Sequence, residues 1–186
     1  MNMGHQFARV AFTDSVRKIQ ETMGSRERYT RMEEGPQSNH ELTEREAEFI
    51  QERDSFYMAS VNEDGWPYVQ HRGGAPGFTR VLDEKTIGFA DFRGNRQYVS
   101  IGNFSKDDRV SLFFMDYVNR RRLKMFGRVE LIDIDQVELL AQLTDEGYKA
   151  KVERGVIIHV EAFDWNCPAH ITPRYTEVEI ERLSGL

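Results

Sequence analysis

The chain has 186 residues, of which 39% are hydrophobic and 30% charged, an ordinary balance for one domain with a sizeable core. Its net charge of −6 disfavours a general nucleic-acid-binding role, because such proteins need positive charge to neutralise phosphates. With a single cysteine, Cys167, the chain cannot form an intrachain disulfide, and a cysteine-based zinc site is implausible. We interpret Cys167 as inert or, alternatively, as a reactive thiol. The chain contains neither a long apolar run nor the apolar core of a secretory signal, so we expect a cytoplasmic protein without a membrane partner.

Residues 1–41 are predicted to form a helical and extended arm. A short helix is indicated where Val16, Ile19 and Met23 recur at helical spacing. Residues 24–41 are highly charged and contain a Gly-Pro pair, which is typical of an extended linker or a surface wrap. We therefore expect the arm to be peripheral to the core.

A mainly β domain is predicted over residues 42–175, followed by a tail at 176–186. Thr43 and Glu46 form a T-x-x-E capping box that opens a short helix. Seven strand-like runs follow, at 55–62, 66–72, 78–82, 86–92, 109–117, 121–132 and 155–165. Two further helices are predicted at 94–104 and 133–144. Strands in hairpin order with frequent turns favour a closed or partly closed antiparallel barrel.

The turn after the fourth strand has the features of an anion-binding site. The sequence FRGNRQ at 92–97 joins this strand to a helix-like run from Gln97, and the first N–H groups of a helix lack internal partners. Arg93 and Arg96 add permanent positive charges that suit a phosphate, unless they only pair with nearby aspartates. We predict a phosphate-bearing cofactor here, with its ring near Gln70, His71 and Arg72.

A basic run at 120–122, with Lys124 close behind, lies at a predicted hairpin. A solvated turn is one interpretation. The other is a site for the extra phosphate of NADPH or for another anionic substrate, because arginine suits phosphate recognition.

Residues 46–174 resemble the flavin-binding split-barrel proteins related to pyridoxamine 5′-phosphate oxidase. The resemblance rests on four features in order: the short helix before the first hairpin, the V-Q-H-R-G-G strand end, the F-A-D-F-R-G-N-R-Q turn, and the late W-N-C-P-A-H segment. It implies an α+β, mainly β fold, a six- to seven-stranded antiparallel Greek-key split β-barrel with short peripheral helices. It also implies a homodimer that holds FMN at the subunit interface.

The same resemblance implies a set of cofactor-binding residues. Those lining the flavin ring are Val69, Gln70, His71, Arg72 and Gly73. Those at the ribityl chain and the phosphate are Ala90, Asp91, Asn95, Arg96 and Gln97, with Arg93 compensating for the family lysine that Gln97 replaces. Those reaching the ring from the partner subunit are Trp165, His170 and Arg174, although Trp165 has an alternative role in the core.

The expected activity is that of an FMN-dependent oxidoreductase with a small-molecule substrate or a nicotinamide donor. The tail with which true oxidases hold the substrate phosphate is not evident after Trp165, so the substrate is not expected to be pyridoxamine phosphate. No side chain is clearly an acid or a base. Two alternatives stay open: a haem or deazaflavin protein of the same fold, in which His71, His159 or His170 would bind haem iron, and a flavin-carrying or sensing module without turnover.

Overall fold

The computed structural model describes residues 4–145, 147–165 and 168–184, and Cys167 lies outside them. Within these residues, seven strands form one antiparallel sheet in the order β2-β1-β5-β6-β7-β4-β3. The strands are β1 Ser55–Val61, β2 Pro67–Gly73, β3 Arg80–Asp83, β4 Thr86–Phe92, β5 Arg109–Asp116, β6 Arg121–Ile132 and β7 Val152–Trp165. The helices are α1 Gln6–Ala11, α2 Asp14–Thr22, α3 Arg26–Glu34, α4 Glu44–Gln51, α5 Val99–Phe104, α6 Val137–Leu143 and α7 Glu177–Ser184. The prediction of a mainly β antiparallel barrel with short helices is confirmed.

Alternating side chains build the core between the strands. Phe56 of β1 pairs with Phe114 of β5, and Phe114 pairs in turn with Leu123 of β6. All three side chains are buried. Met58, which follows Phe56 by two residues on the same face of β1, is buried as well. Successive strand residues point to opposite faces, so the residues between them face outward.

Helix α6 is shorter than the predicted helix at 133–144, and it covers two glycines of the sheet. A Cβ at Gly88 would lie 2.7 Å from Leu143 Cδ2, and one at Gly155 would lie 2.8 Å from Leu143 Cδ1. The two glycines therefore create the space in which Leu143 is buried. Among the described helices, none has both the length and the apolar character that a membrane span requires.

Of the two interpretations of residues 24–41, the extended linker is wrong, because α3 occupies Arg26–Glu34, and the surface wrap stays a prediction. The carboxylate of Glu33 joins α3 to α2 through Arg17, at 2.8 Å, and also pairs with Arg26. Helix α1 contacts β7, and the ring of Phe7 stacks on that of Phe126 at 4.8 Å. The arm thus packs against the barrel through specific contacts, while its standing as a separate unit stays a prediction.

Candidate functional site

An open cleft of about 220 Å³ lies beside the turn at 92–98. Strands β2, β4 and β7 contribute Tyr68, Gln70, Arg72, Asp91 and Glu153 to its walls, and the turn and α5 supply the rest. A neighbouring cleft of about 170 Å³ shares Gln70, Arg72 and Asp91, and adds His71, Gly73 and Ala90. The predicted ring region and the predicted phosphate region are therefore contiguous.

Local backbone contacts shape the turn. The N–H of Arg93 donates to the Lys151 carbonyl at 2.8 Å, after which the chain leaves the sheet. Asn95 Oδ1 then accepts the N–H of Gln97 at 3.1 Å. Arg96 and Tyr98 adopt left-handed backbone conformations, with φ of 64° and 52°, which are uncommon for residues with a side chain. The turn therefore holds its side chains in a defined arrangement.

Helix α5 begins at Val99 and has six residues, so the prediction that the turn opens directly into a helix at Gln97 is wrong. A helix this short is a weak source of N-terminal positive charge. Arginine side chains, not a helix terminus, supply the positive charge of the cleft. Two contacts hold α5 against the first hairpin: the Ser100 hydroxyl donates to Gln70 Oε1 at 2.8 Å, and Asn103 Nδ2 donates to Ser60 Oγ at 2.9 Å.

Asp91 anchors two arginines at the cleft floor. Its carboxylate is buried, with 6% of the residue exposed, and it lies 2.5 Å from Arg72 Nη1 and 3.4 Å from Arg154 Nε. The guanidinium of Arg72 also lies over the Phe89 ring, at 5.7 Å from the ring centre. Asp91 therefore contributes to the cleft by fixing cations.

Glu153 is the second carboxylate of the cleft. Its oxygens lie 3.6 Å from Arg93 Nε and 3.7 Å from Arg154 Nη2, and Glu153 Oε1 accepts the Tyr98 hydroxyl at 3.3 Å. The Tyr98 hydroxyl also accepts Arg96 Nε at 3.4 Å. Of the charged residues that line the cleft, Arg72 and Arg96 balance the two carboxylates. Two further cations, Arg93 and Arg154, do not line the cleft but contact these carboxylates.

One donor in this network lacks a partner. The Nε of Arg72 is buried and has no hydrogen bond to any described group, whereas the buried Nε of Arg154 has an ion pair with Asp91 at 3.4 Å. Leaving such a donor unsatisfied costs about 1–3 kcal/mol. A buried donor without a partner, beside several arginines, fits an anionic ligand.

The structure separates the predicted β2 residues by face. Gln70 and Arg72 face the cleft, whereas Val69 and His71 alternate to the other face. Val69 is 61% exposed, and the His71 ring packs edge-on against Tyr57 at 5.7 Å. His71 still borders the smaller cleft.

The three residues predicted to act across a subunit interface do not line the cleft of their own chain. The Trp165 indole donates to Glu46 at 2.6 Å and lies at the other end of β7 from the cleft. Arg174 lies over the Tyr117 ring at 4.8 Å, and His170 is exposed. Their contact with a partner's cofactor stays a prediction.

The candidate haem ligands do not converge. His159 Nε2 lies 2.9 Å from Glu130 on the exposed face of β6 and β7, away from His71. Within the described ranges, no group of three or more histidine, cysteine or acidic side chains is arranged to hold a metal ion.

Sequence reasoning missed Arg154, Glu153 and Tyr98. The last strand was predicted to begin at 155, but β7 begins at Val152 and brings the first two residues beside β4. The charged pair directly before the apolar run was the available signal. The proximity of this charged pair to Asp91 depends on the register between β4 and β7, which the sequence does not reveal.

Comparisons with known proteins agree with the fold. The sequence model of pyridoxamine 5′-phosphate oxidase matches residues 42–164. A putative pyridoxamine 5′-phosphate oxidase from Lactobacillus delbrueckii superposes with a TM-score of 0.52 at 20% identity, covering 68% of this chain and 96% of that chain. A single-residue variant of HupZ from Group A Streptococcus gives 0.52 at 17% identity, covering 67% and 99%. At these identities the structural likeness concerns the fold alone. A search of curated proteins found no significant match.

Proposed function

The chain belongs to the pyridoxamine 5′-phosphate oxidase family, and we propose that it binds FMN in the cleft beside the turn at 92–98. It uses the flavin as an oxidoreductase on a small molecule other than pyridoxamine phosphate. The carrying observation is the cluster of four arginines at this cleft, in which the buried Nε of Arg72 has no hydrogen-bond partner among the described groups.

The phosphate is assigned to the turn end of the cleft. Asn95 and Arg96 lie in the turn itself and line the cleft, and Arg154 of β7 contacts two residues of its wall, Asp91 and Glu153. Charge-assisted hydrogen bonds from guanidinium groups are among the stronger contacts that a phosphate can make. Arg93 is partly offset by Glu153, so we assign it a supporting role.

The ring is assigned to the smaller cleft, where Gln70, Arg72 and Ala90 lie. Bound FMN supplies the hydride- and electron-transferring ring, so the protein has to supply placement and electrostatics. The Arg72 cation favours negative charge on a neighbouring ring. Asp91 holds this guanidinium in place and moderates its charge.

A flavin-carrying or sensing module without turnover is the second candidate. Both described carboxylates of the cleft, Asp91 and Glu153, are paired with arginines, so neither is free to act as an acid or base. A carrier retains bound FMN that neither NADH nor NADPH reduces. An oxidoreductase that uses a nicotinamide donor shows bleaching of the flavin absorbance on addition of one of them.

We also propose a homodimer with the cofactor at the subunit interface. The turn end of the first hairpin exposes three large apolar side chains, Val61 (37%), Trp66 (73%) and Val69 (61%). Such a patch is typical of a protein–protein contact. Trp165, His170 and Arg174 are proposed to approach the ring from the partner subunit.

The visible absorption spectrum of the purified protein tests the cofactor. A two-band flavin spectrum, with FMN released on denaturation, supports the proposal. A Soret band supports haem instead, and release of a deazaflavin identifies the other alternative. A colourless protein that fails to bind added FMN contradicts the proposed function.

A further inference from the structure

An open groove of about 420 Å³ lies where the N-terminal arm meets the barrel. Its lining includes Gln6 and Arg9 of α1, His40 of the segment after α3, Lys85 of the turn between β3 and β4, and Val160 and Glu161 of β7. Among the described residues, none lines both this groove and a cleft of the candidate cofactor site. The groove is therefore a separate cavity that the proposed function does not use.

Backbone hydrogen bonds fix the walls of this groove. The Gln6 N–H donates to the Ser38 carbonyl at 2.9 Å, which joins α1 to the segment that follows α3. The N–H of Phe163, in β7, donates to the Asn39 carbonyl at 3.0 Å, which joins that segment to the barrel. The side chains that line the groove are therefore carried by backbone segments that are bonded to one another.

Two polar atoms of the arm wall, Gln6 Oε1 and His40 Nδ1, are buried without a hydrogen-bond partner among the described residues. The amide oxygen of Gln6 is an acceptor, so only a donor can satisfy it, whereas the ring nitrogen of His40 accepts or donates according to its tautomer. A buried polar atom without a partner is costly. A ligand that brings N–H groups into the groove removes this cost.

Side chains of both charges line the groove. Arg9 and Lys85 are its cations, and the Lys85 ammonium has two N–H groups beyond the one that faces Glu41 at 3.0 Å. Glu161 is its carboxylate, and Glu161 Oε1 accepts Arg128 Nε at 2.9 Å. A carboxylate accepts several hydrogen bonds, so this contact does not saturate it. Two cations beside a carboxylate and a buried acceptor match a molecule that carries both charges.

We propose that this groove binds a small free amino acid in its zwitterionic form. Arg9 and Lys85 bind the carboxylate of the amino acid through charge-assisted hydrogen bonds, which are among the stronger contacts of this kind. The ammonium donates to Gln6 Oε1 and to the Glu161 carboxylate. Because the bound molecule contacts α1 and β7 at once, its binding also fastens the arm to the barrel.

Calorimetric titration of the full-length protein tests the site with L-alanine and the larger L-glutamine. Three further probes define the chemistry: propionate lacks the ammonium, ethylammonium lacks the carboxylate, and N,N,N-trimethylglycine keeps both charges but has no N–H group to donate. We expect saturable binding of at least one amino acid, and binding of the three other probes that is weaker by about tenfold or more. Failure of both amino acids to bind saturably, or equally tight binding of trimethylglycine, would overturn the proposal.

A pair of lysine variants locates the site. Lys85→Gln should weaken binding of the preferred amino acid about tenfold, because it removes a charge-assisted contact with the carboxylate. Lys18→Gln is the matched control, since Lys18 is also exposed and lies in the arm outside the groove, and it should bind like the wild type. An unchanged affinity in Lys85→Gln, or an equal loss in both variants, would refute the site.

Gln6→Met tests the buried acceptor, because methionine has a similar size but no amide oxygen. The preference for the amino acid over trimethylglycine should shrink in this variant, since only the amino acid donates to Gln6. A loss that is equal for both zwitterions would give Gln6 a structural role alone and contradict its part in the site. Thermal unfolding confirms that each variant is folded, and Lys85→Gln, at an exposed position, carries the test should Gln6→Met not fold.

Hydrogen exchange at constant pH shows where the amino acid binds. The saturating amino acid should slow exchange in α1 and in residues 37–40, and leave exchange in the turn at 92–98 unchanged. Saturating FMN should not alter the affinity for the amino acid. Competition between the two ligands, or protection of the turn at 92–98, would place the amino acid in the cofactor cleft and contradict a separate site.

Discussion

Replacement of Arg96 by alanine should weaken FMN binding roughly 10- to 140-fold. A charge-assisted hydrogen bond contributes about 1.5–3 kcal/mol, and about 1.4 kcal/mol corresponds to a tenfold change in affinity. Arg96 is exposed, and its Nε donates to the Tyr98 hydroxyl at 3.4 Å. In the described chain it forms no salt bridge, so its removal leaves no buried charge unpaired and should not alter stability.

The assay is a titration of FMN fluorescence quenching at constant ionic strength, because surface electrostatics depend on salt. Arg120→Ala provides a matched control. Arg120 is also exposed and also has a left-handed backbone, with φ of 53° against 64° at Arg96, so both variants place alanine in the same conformation. The control should bind FMN like the wild type.

An unchanged FMN affinity in Arg96→Ala would remove the main support for placing the phosphate at this turn. An equal loss in Arg120→Ala would place the phosphate elsewhere. Thermal unfolding of both variants provides the check on stability, and their midpoints should match that of the wild type.

Asp91→Ala should lower the free energy of unfolding, measured in urea, by about 3–5 kcal/mol, because Arg72 would be left buried and unpaired; an unchanged value would contradict the ion pair. Val69→Glu should convert the proposed dimer into a monomer in sedimentation experiments, and a variant that stays dimeric would locate the interface elsewhere. Burial lowers the pKa of His5 despite the nearby Asp164 carboxylate. As the pH falls below 6.5, the usual pKa of histidine, the unfolded state therefore takes up the proton before the folded state does, and the free energy of unfolding decreases. The opening free energy of α1, obtained from hydrogen exchange corrected for the intrinsic exchange rate at each pH, should therefore be lower at about pH 5.5 than at about pH 7.5, and His5→Gln should reduce this difference.

Local patterns predicted most of the barrel. The capping box at Thr43 is present, with its N–H donating to Glu46 at 3.1 Å, because its residues are close in sequence. Helix α3 was missed because its contacts are not local. Glu33 pairs with Arg17 sixteen residues earlier, and a segment rich in charges with few apolar residues gives no periodic signal for such a contact.

The candidate site was predictable where it is contiguous. The turn residues from Gly94 to Gln97 and the inward-facing Gln70 and Arg72 line one cleft. A period of two along β2 is sufficient to assign Val69 and His71 to the other face. Arg154 was not predictable, because its position opposite Asp91 follows from the pairing of β4 with β7, two strands that are far apart in sequence.

Position 97 holds a glutamine where the resemblance to the family implies a lysine, and two nearby arginines do not restore that charge in full. Arg93 is offset by Glu153, which lies 3.6 Å from its Nε, and Arg154 pairs with both Asp91 and Glu153. Arg96 lines the cleft and forms no salt bridge in the described part of the chain. Because a phosphate monoester carries about −1.5 to −2 near neutral pH, the unpaired charge of Arg96 is the one that a phosphate at this turn would engage first, and this is why the Arg96→Ala titration is the most direct test of the assignment.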